Sequence, residues 1–163
     1  MQTAMFGAAN PSRHIPGATD EQIVRAALTI MEERMRYGRE VLASPDALRT
    51  FLRLRMAHLE HEVFGCAFLN SQLRLIEYTE LFRGTLTEAN VYPREVVKEA
   101  LRHNAASVVL AHNHPSGITE PSAADRMLTA TLADALRLVD VRVLDHMIVG
   151  GTSILSFVER GIL

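Results

Sequence analysis

The sequence holds a single cysteine among its 163 residues, and this scarcity excludes several kinds of site. Cys66 has no partner for an intrachain disulfide. Zinc sites built on paired cysteines, including the Cys-x-x-Cys sites of nucleobase deaminases, are excluded as well. Because chains without disulfides are typical of reducing compartments, we expect a cytoplasmic protein.

Clustered basic charge is also missing from the sequence. The 17 lysine and arginine residues are slightly outnumbered by 19 aspartate and glutamate residues, which leaves a formal net charge of −2. A nucleic-acid-binding domain usually shows a basic patch. We expect the two local groups of arginines, at 34–39 and 49–55, to be solvated helix faces. The charge therefore gives no support to a nucleic-acid partner.

Long hydrophobic runs are absent too. No apolar stretch approaches the length of a membrane span, and the amino terminus lacks a basic segment followed by an apolar one. We therefore expect neither a signal peptide nor a membrane partner. With 48% hydrophobic residues, the chain is long enough to bury one core and too short for two ordinary domains. The sequence leaves the oligomeric state open.

The residues that carry chemistry are concentrated between positions 111 and 125. The apolar run at 105–111 is short and β-branched in its middle, which is typical of a buried strand. His112 and His114 follow this run. Because side chains two residues apart in an extended chain point the same way, both imidazoles can face one point in space. The pair is therefore a candidate for binding one metal ion.

A turn after the histidines can return the chain to them. Pro115 cannot continue a central strand, and the following serine and glycine are typical of a turn. The reversal brings Asp125 back towards His112 and His114. Two imidazoles and one carboxylate leave the fourth position of a tetrahedral zinc ion open, which is the pattern of catalytic sites.

Ser122 and Asp125 also have a purely structural interpretation. A Ser-x-x-Asp pattern at the start of an amphipathic segment is typical of a capping box, in which the serine satisfies free backbone donors of the helix. Capping and metal binding are compatible, so both interpretations are kept.

The spacing of these residues resembles a known signature. The pattern His112-x-His114, seven residues, Ser122, two residues, Asp125 is similar to the JAMM signature of the MPN/JAB metallopeptidases. The chain from about residue 44 to 163 further resembles the bacterial RadC family, in residues 92–96, 104–106, 111–117 and 144–150. RadC proteins commonly carry an amino-terminal helix-hairpin-helix region. The residues before 44 are too few for it, so we expect the short form.

This resemblance implies a zinc metallopeptidase that hydrolyses a peptide or isopeptide bond of a protein substrate. Zn²⁺ would be held by His112, His114 and Asp125, and the hydroxyl of Ser122 would donate to the oxyanion. The family also uses a glutamate from an earlier strand as general acid and base for the zinc-activated water. Glu62 opens the apolar run at 62–69. Glu60 shares its parity, but the family places the acid directly before the run, which favours Glu62.

The element pattern predicts an α+β domain. We expect a flexible amino-terminal arm at 1–19, a helix within 20–43 and the JAMM domain at 44–163. The predicted order is two helices, a hairpin, a helix, a strand, a helix and two strands, which makes a mixed sheet flanked by helices. The resemblance implies the same architecture, the three-layer MPN/JAB fold that is similar to cytidine deaminase.

The sequence leaves three questions open. The repair role attached to RadC-like proteins suggests a DNA-repair-associated or DNA-processing accessory protein as an alternative function. A domain that keeps its zinc but works as a binding scaffold is another. The predicted strand at 141–149 also carries Asp145 and His146, either of which could support the metal ligands from behind.

Overall fold

The computed structural model describes residues 17–37, 45–84 and 91–163. Most of the predicted amino-terminal arm lies outside these ranges, as do residues 38–43 of the predicted first helical segment. Within the described ranges the elements follow the predicted order: α1 (Asp20–Tyr37), α2 (Pro45–Met56), β1 (Val63–Leu69), β2 (Leu75–Arg83), α3 (Pro93–Arg102), β3 (Ser107–Asn113), α4 (Ala123–Arg137), β4 (Arg142–Gly150) and β5 (Ser153–Ser156).

The strands form one mixed sheet in the order β2-β1-β3-β4-β5. β3 and β4 run parallel, and the other neighbours are antiparallel. One hydrophobic cluster joins α1 and α2 to one face of the sheet, and a second joins α3 and α4 to the opposite face. The predicted α+β class, with a mixed sheet flanked by helices, is confirmed. Among the described helices, none has both the length and the apolar character needed to cross a membrane.

The central strand β3 is buried along its whole length, because helices cover both faces of the sheet. Its residues alternate between the two clusters: Val109 and Ala111 pack towards α1 and α2, whereas Val108 and Leu110 pack towards α3 and α4. His112 continues the second row. The period of the strand therefore places this imidazole on the side of the sheet where α4 begins.

An irregularity in β4 changes which face its later residues present. Val143 packs against the cluster of α3 and α4, whereas Met147, four residues later, packs against the cluster on the opposite face. The register between β3 and β4 shifts directly after Val143, which is the mark of a β-bulge. Because of this bulge, His146 pairs with Leu110 and lies on the same face as His112.

Three of the arginines predicted to lie on solvated helix faces instead make ion pairs with acidic residues distant in the sequence: Arg36 with Glu77 at 2.9 Å, Arg55 with Glu80 at 3.1 Å, and Arg49 with Glu159. Arg34 and Arg53 are exposed, as expected. For the other three the expectation was wrong because their partners lie on β2 and near the carboxyl terminus, which helix periodicity does not reveal. These pairs tie the two helices to the rest of the domain.

Candidate metal centre

Two imidazoles and one carboxylate converge where β3 ends and α4 begins. The Nε2 atoms of His112 and His114 are 2.9 Å apart, and the carboxylate oxygens of Asp125 lie 3.3 Å from the first and 3.7 Å from the second. One potential ligand atom from each residue falls within 4.8 Å of the others. The structure thus brings the three predicted ligands together, in an arrangement that fits one metal ion; their metal role stays a prediction.

A tight turn fixes the ring of His114. Gly117 adopts a φ of 80°, which a glycine tolerates without strain, and the chain folds back so that the carbonyl of Ile118 accepts a hydrogen bond from His114 Nδ1 at 2.6 Å. Gly150 is needed on the other side, since a Cβ there would lie 2.5 Å from the carbonyl oxygen of Gly117. His114 Nε2 is left facing Asp125.

Asp125 stands in the first turn of α4 and belongs to a capping box. The hydroxyl of Ser122 accepts a hydrogen bond from the Asp125 backbone N–H at 3.1 Å, and the Ser122 backbone N–H donates to Asp125 Oδ2 at 2.7 Å. The same Oδ2 lies 2.7 Å from the Ser122 hydroxyl. The predicted capping box is confirmed, and the other carboxylate oxygen still faces His112. One aspartate therefore serves the helix end and the cluster together.

The electrostatics of the cluster favour a carboxylate beside imidazole nitrogens. Burial by itself would raise the pKa of Asp125, but its close contacts with His112, His114 and Ser122 outweigh it and hold that pKa well below its usual range. The hydrogen bond with Asp125 raises the pKa of His114 above 6.5, against an opposing effect of burial. The Glu62 carboxylate adds to this increase.

Glu62 lies directly before β1, at the edge of the cluster. β1 pairs with β3 so that Phe64 stands opposite His112, and the antiparallel register continues towards Glu62 and His114. The side chain of Glu62 is half-buried, whereas that of Glu60 is exposed. Of these two glutamates, only Glu62 contributes to the raised pKa of His114. The structure therefore places Glu62, rather than Glu60, beside the candidate ligands.

Asn113 is a residue that sequence reasoning missed. Its Oδ1 accepts a hydrogen bond from the Val63 backbone N–H at 2.8 Å, and its Nδ2 donates to the carbonyl of His61 at 3.0 Å. This buried amide thus holds the segment that carries Glu62 against the end of β3. The signal was a polar side chain at the end of a buried strand, which must find partners when it is buried.

Asn113→Ala is expected to lower the free energy of unfolding by about 1 to 3 kcal/mol, because it leaves the Val63 N–H and the His61 carbonyl without their partner. Urea unfolding at neutral pH measures the change. Zinc affinity should stay close to that of the wild type, since Asn113 is not among the candidate ligands. An unfolding free energy within about 0.3 kcal/mol of the wild type would contradict the role given to this amide.

Comparison with known proteins agrees with this fold. The sequence profile described as the RadC-like JAB domain matches residues 42–162. The chain belongs to the RadC-like JAB domain family. Its relatives include proteins named UPF0758 protein: one from Thiobacillus denitrificans is 57% identical over 141 residues, and one from Vibrio cholerae is 54% identical over 144 residues. The resemblance seen in the sequence is confirmed.

The RadC-like chain covers its relatives to different extents. The match spans 86% of this chain and 62% of the Thiobacillus denitrificans protein, and 77% and 56% respectively for a Leptothrix cholodnii protein that is 60% identical. For the Vibrio cholerae protein the match spans 88% of this chain and 90% of the relative. The name that these relatives share states no activity.

The RadC-like domain also has a buried polar network behind its candidate ligands. His112 Nδ1 lies 2.8 Å from His146 Nε2, and His146 Nδ1 lies 2.6 Å from the hydroxyl of Thr129. Burial holds the pKa of His146 well below its usual value, so this ring is neutral. Sequence reasoning named His146 as a possible support but gave no sign of Thr129.

Asp145, the other residue named as a possible support, does not contact the cluster. Its carboxylate accepts hydrogen bonds from the hydroxyl of Ser156 at 2.6 Å and from the backbone N–H of Val158 at 3.1 Å. Neighbouring residues of a strand point to opposite faces, so Asp145 and His146 cannot both face the metal centre. Asp145 instead braces the carboxyl-terminal segment.

Proposed function

We propose that this RadC-like domain is a zinc-dependent metallohydrolase that cleaves a peptide or isopeptide bond in a protein substrate in the cytoplasm. The observation that carries the proposal is the convergence of His112, His114 and Asp125, whose ligand atoms lie within 4.8 Å of one another. Two nitrogen donors and one carboxylate suit zinc, and three protein ligands are the number found in catalytic zinc sites. Membership of a JAB family is compatible with a hydrolase.

The residues present fit the metal. The two histidines would hold it through Nε2, because the Nδ1 of His114 is engaged by a backbone carbonyl and that of His112 by His146. Asp125 would supply a carboxylate oxygen. When bound, zinc would lower the pKa of a water molecule to about 7 and polarise the scissile carbonyl.

Glu62 is the proposed general acid and base. Its carboxylate lies at the edge of the cluster, close enough to His114 to raise the pKa of that imidazole. In this position it would accept the proton of the attacking water and return it to the leaving amine, a role that typically contributes about 10²- to 10⁴-fold to the rate. Asn113 would keep the segment of Glu62 in place during both transfers.

Ser122 is the proposed donor to the oxyanion. Its hydroxyl lies 2.7 Å from Asp125 Oδ2, and its backbone N–H donates to the same oxygen at 2.7 Å. If the hydroxyl turns towards substrate, this N–H still satisfies the carboxylate, so the rotation leaves no oxygen without a partner. A single donor of this kind is typically worth about 3 to 4 kcal/mol of barrier.

Elemental analysis and a peptide assay test the proposal together. We expect about one zinc ion per chain in folded, metal-replete protein after dialysis. The zinc-loaded protein should also hydrolyse members of a quenched-fluorescence library of peptides and of lysine-linked isopeptides. A folded protein that retains no zinc would overturn the metal site, and a zinc-loaded protein that cleaves no member of either library would count against the hydrolase.

Zinc affinity should fall as the pH is lowered. The pKa of His114 is raised above 6.5, so this imidazole keeps its proton at pH values where an ordinary histidine has lost it, and zinc must displace that proton. Below the raised pKa we expect the affinity to decrease by about tenfold per pH unit for one displaced proton. Calorimetry in buffers of different ionisation enthalpy measures the proton release. An affinity that is constant between about pH 5.5 and 8 would contradict this mechanism.

A further inference from the structure

We propose that Thr129 and His146 are positioning residues that form a directed hydrogen-bond relay, which keeps the Nε2 lone pair of His112 aimed at the metal centre. The inference rests on the proposed function only in taking His112 as a ligand. It concerns how the ring is held before any metal or substrate arrives.

The relay consists of contacts at short hydrogen-bond distances between buried groups. The Thr129 hydroxyl lies 2.6 Å from the backbone carbonyl oxygen of Asp125 and 2.6 Å from His146 Nδ1. His146 Nε2 lies 2.8 Å from His112 Nδ1. Thr129 is 3% exposed, His146 0% and His112 2%, so water is not available as an alternative partner.

The direction of each bond follows from what its atoms can do. A backbone carbonyl can only accept, so the single hydroxyl proton of Thr129 points to Asp125. The hydroxyl oxygen must then accept from His146, which places the proton of that neutral ring on Nδ1. Its Nε2 is therefore an acceptor, and the partner nitrogen, His112 Nδ1, carries a proton. The remaining nitrogen of His112, Nε2, is left with its lone pair facing the cluster.

The surroundings of His146 keep this direction from reversing. Its ring lies 5.7 Å from that of Phe64 and 4.7 Å from that of Phe157, measured between centroids, and both phenylalanines are buried. An apolar enclosure disfavours the protonated, cationic form of His146. That form would donate from both ring nitrogens and so could not accept the hydrogen bond from His112 Nδ1. The bulge in β4 is what brings the ring into this enclosure.

The two candidate histidine ligands are thus oriented in different ways. His114 donates through Nδ1 to the backbone carbonyl of Ile118, a contact that side-chain substitution does not remove. His112 depends on two side chains instead. Partners that fix the ring of a metal-binding histidine typically change metal affinity by about 10- to 100-fold when they are lost. The relay therefore makes His112 the ligand whose orientation can be tested by mutation.

Two pairs of variants separate the relay from simple packing. His146→Leu removes the acceptor of His112 Nδ1–H, whereas His146→Gln keeps an amide oxygen that can accept it. Thr129→Val removes the hydroxyl with almost no change of shape, whereas Thr129→Ser keeps it. Thr131→Val is a matched control, since the Thr131 hydroxyl makes the same kind of bond, to Met127 one turn back at 2.9 Å, on an exposed face of the helix.

Two measurements are made on each variant. Long-range ¹H–¹⁵N NMR of the metal-free protein identifies which nitrogen of His112 carries the proton, and competition with a chromophoric chelator gives the zinc affinity. For the wild type, His146→Gln, Thr129→Ser and Thr131→Val, we expect the Nδ1–H form and similar affinities. For His146→Leu and Thr129→Val, we expect His112 to shift away from that form and zinc to bind about 10- to 100-fold more weakly.

Other results would overturn the relay. Wild-type zinc affinity in folded Thr129→Val protein would show that the hydroxyl is not needed, even if His146→Leu fails to fold. Weaker zinc binding without a change in the protonation of His112 would assign the effect to packing. The NMR experiment uses metal-free protein and no substrate, so it tests the relay independently of the hydrolase. A protein that shows the expected forms of His112 and cleaves no peptide refutes only the proposed function.

Discussion

Glu62→Gln should leave zinc bound and lower the turnover of a cleaved library peptide by about 10²- to 10⁴-fold. The amide has the shape of the carboxylate but cannot accept the proton of the attacking water. Glu62 is not one of the three residues whose atoms converge at the metal centre, so the zinc content is expected to stay unchanged. Elemental analysis and kcat/KM for one peptide, measured on the same preparation, check both halves of this expectation.

Glu60→Gln is the matched control for that variant. The two glutamates are separated by one residue and share their parity in an extended chain, but Glu60 is exposed and Glu62 is half-buried. We expect Glu60→Gln to retain nearly full turnover. If the effects of the two variants were exchanged, Glu60 would be the base. If Glu62→Gln kept its activity and Glu60→Gln did too, neither glutamate would carry the proton.

Removing a candidate ligand should have the second large effect, on zinc affinity. For His112→Ala and Asp125→Asn we expect the dissociation constant for zinc to increase by about 10²- to 10⁴-fold. This range follows from about 10 to 16 kcal/mol of binding free energy shared among three or four ligands. Titration against a chelator measures the constant. Dissociation constants that stay within about threefold of the wild type in both variants would show that the metal is held elsewhere or not specifically.

The capping role of Asp125 must be separated from its metal role. Asp125→Asn keeps a side-chain oxygen that can accept from the Ser122 N–H, so the helix end should persist while the anionic ligand is lost. Ser122→Ala should have the opposite effects. We expect it to lower the free energy of unfolding by about 1 kcal/mol, because the cap is lost, and to leave zinc bound. A loss of zinc in Ser122→Ala would mean that the cap itself holds Asp125 in its metal-binding position.

Local patterns were enough to predict much of the site. The β-branched run before His112 predicted β3, and the Ser-x-x-Asp pattern predicted the capping box of α4. The i, i+2 spacing of His112 and His114 predicted that their rings would meet, although His114 lies one residue beyond the end of the strand. Each of these features depends on residues that are close together in the sequence.

What the sequence did not reveal depends on contacts between distant segments. The amide of Asn113 accepts a hydrogen bond from Val63, which is 50 residues away in the sequence, and the residues around Asn113 do not indicate this partner. In the sequence Thr129 looks like an ordinary helix residue, because its contact with His146 depends on how α4 packs against β4. Which of these residues meet is decided by the register of the strands, which a local pattern cannot specify.

The bulge in β4 has a consequence for how the site can be gained or lost in evolution. Val143 and His146 face the same side of the sheet only because an extra residue separates them in the pairing with β3. Residues three apart in a strand without a bulge face opposite layers, so a regular pairing of this same sequence would turn one of the two side chains towards the wrong layer. The support of His112 is therefore encoded in an irregular pairing of two strands. A lineage could lose it through substitutions that favour the regular pairing, while every ligand stayed identical.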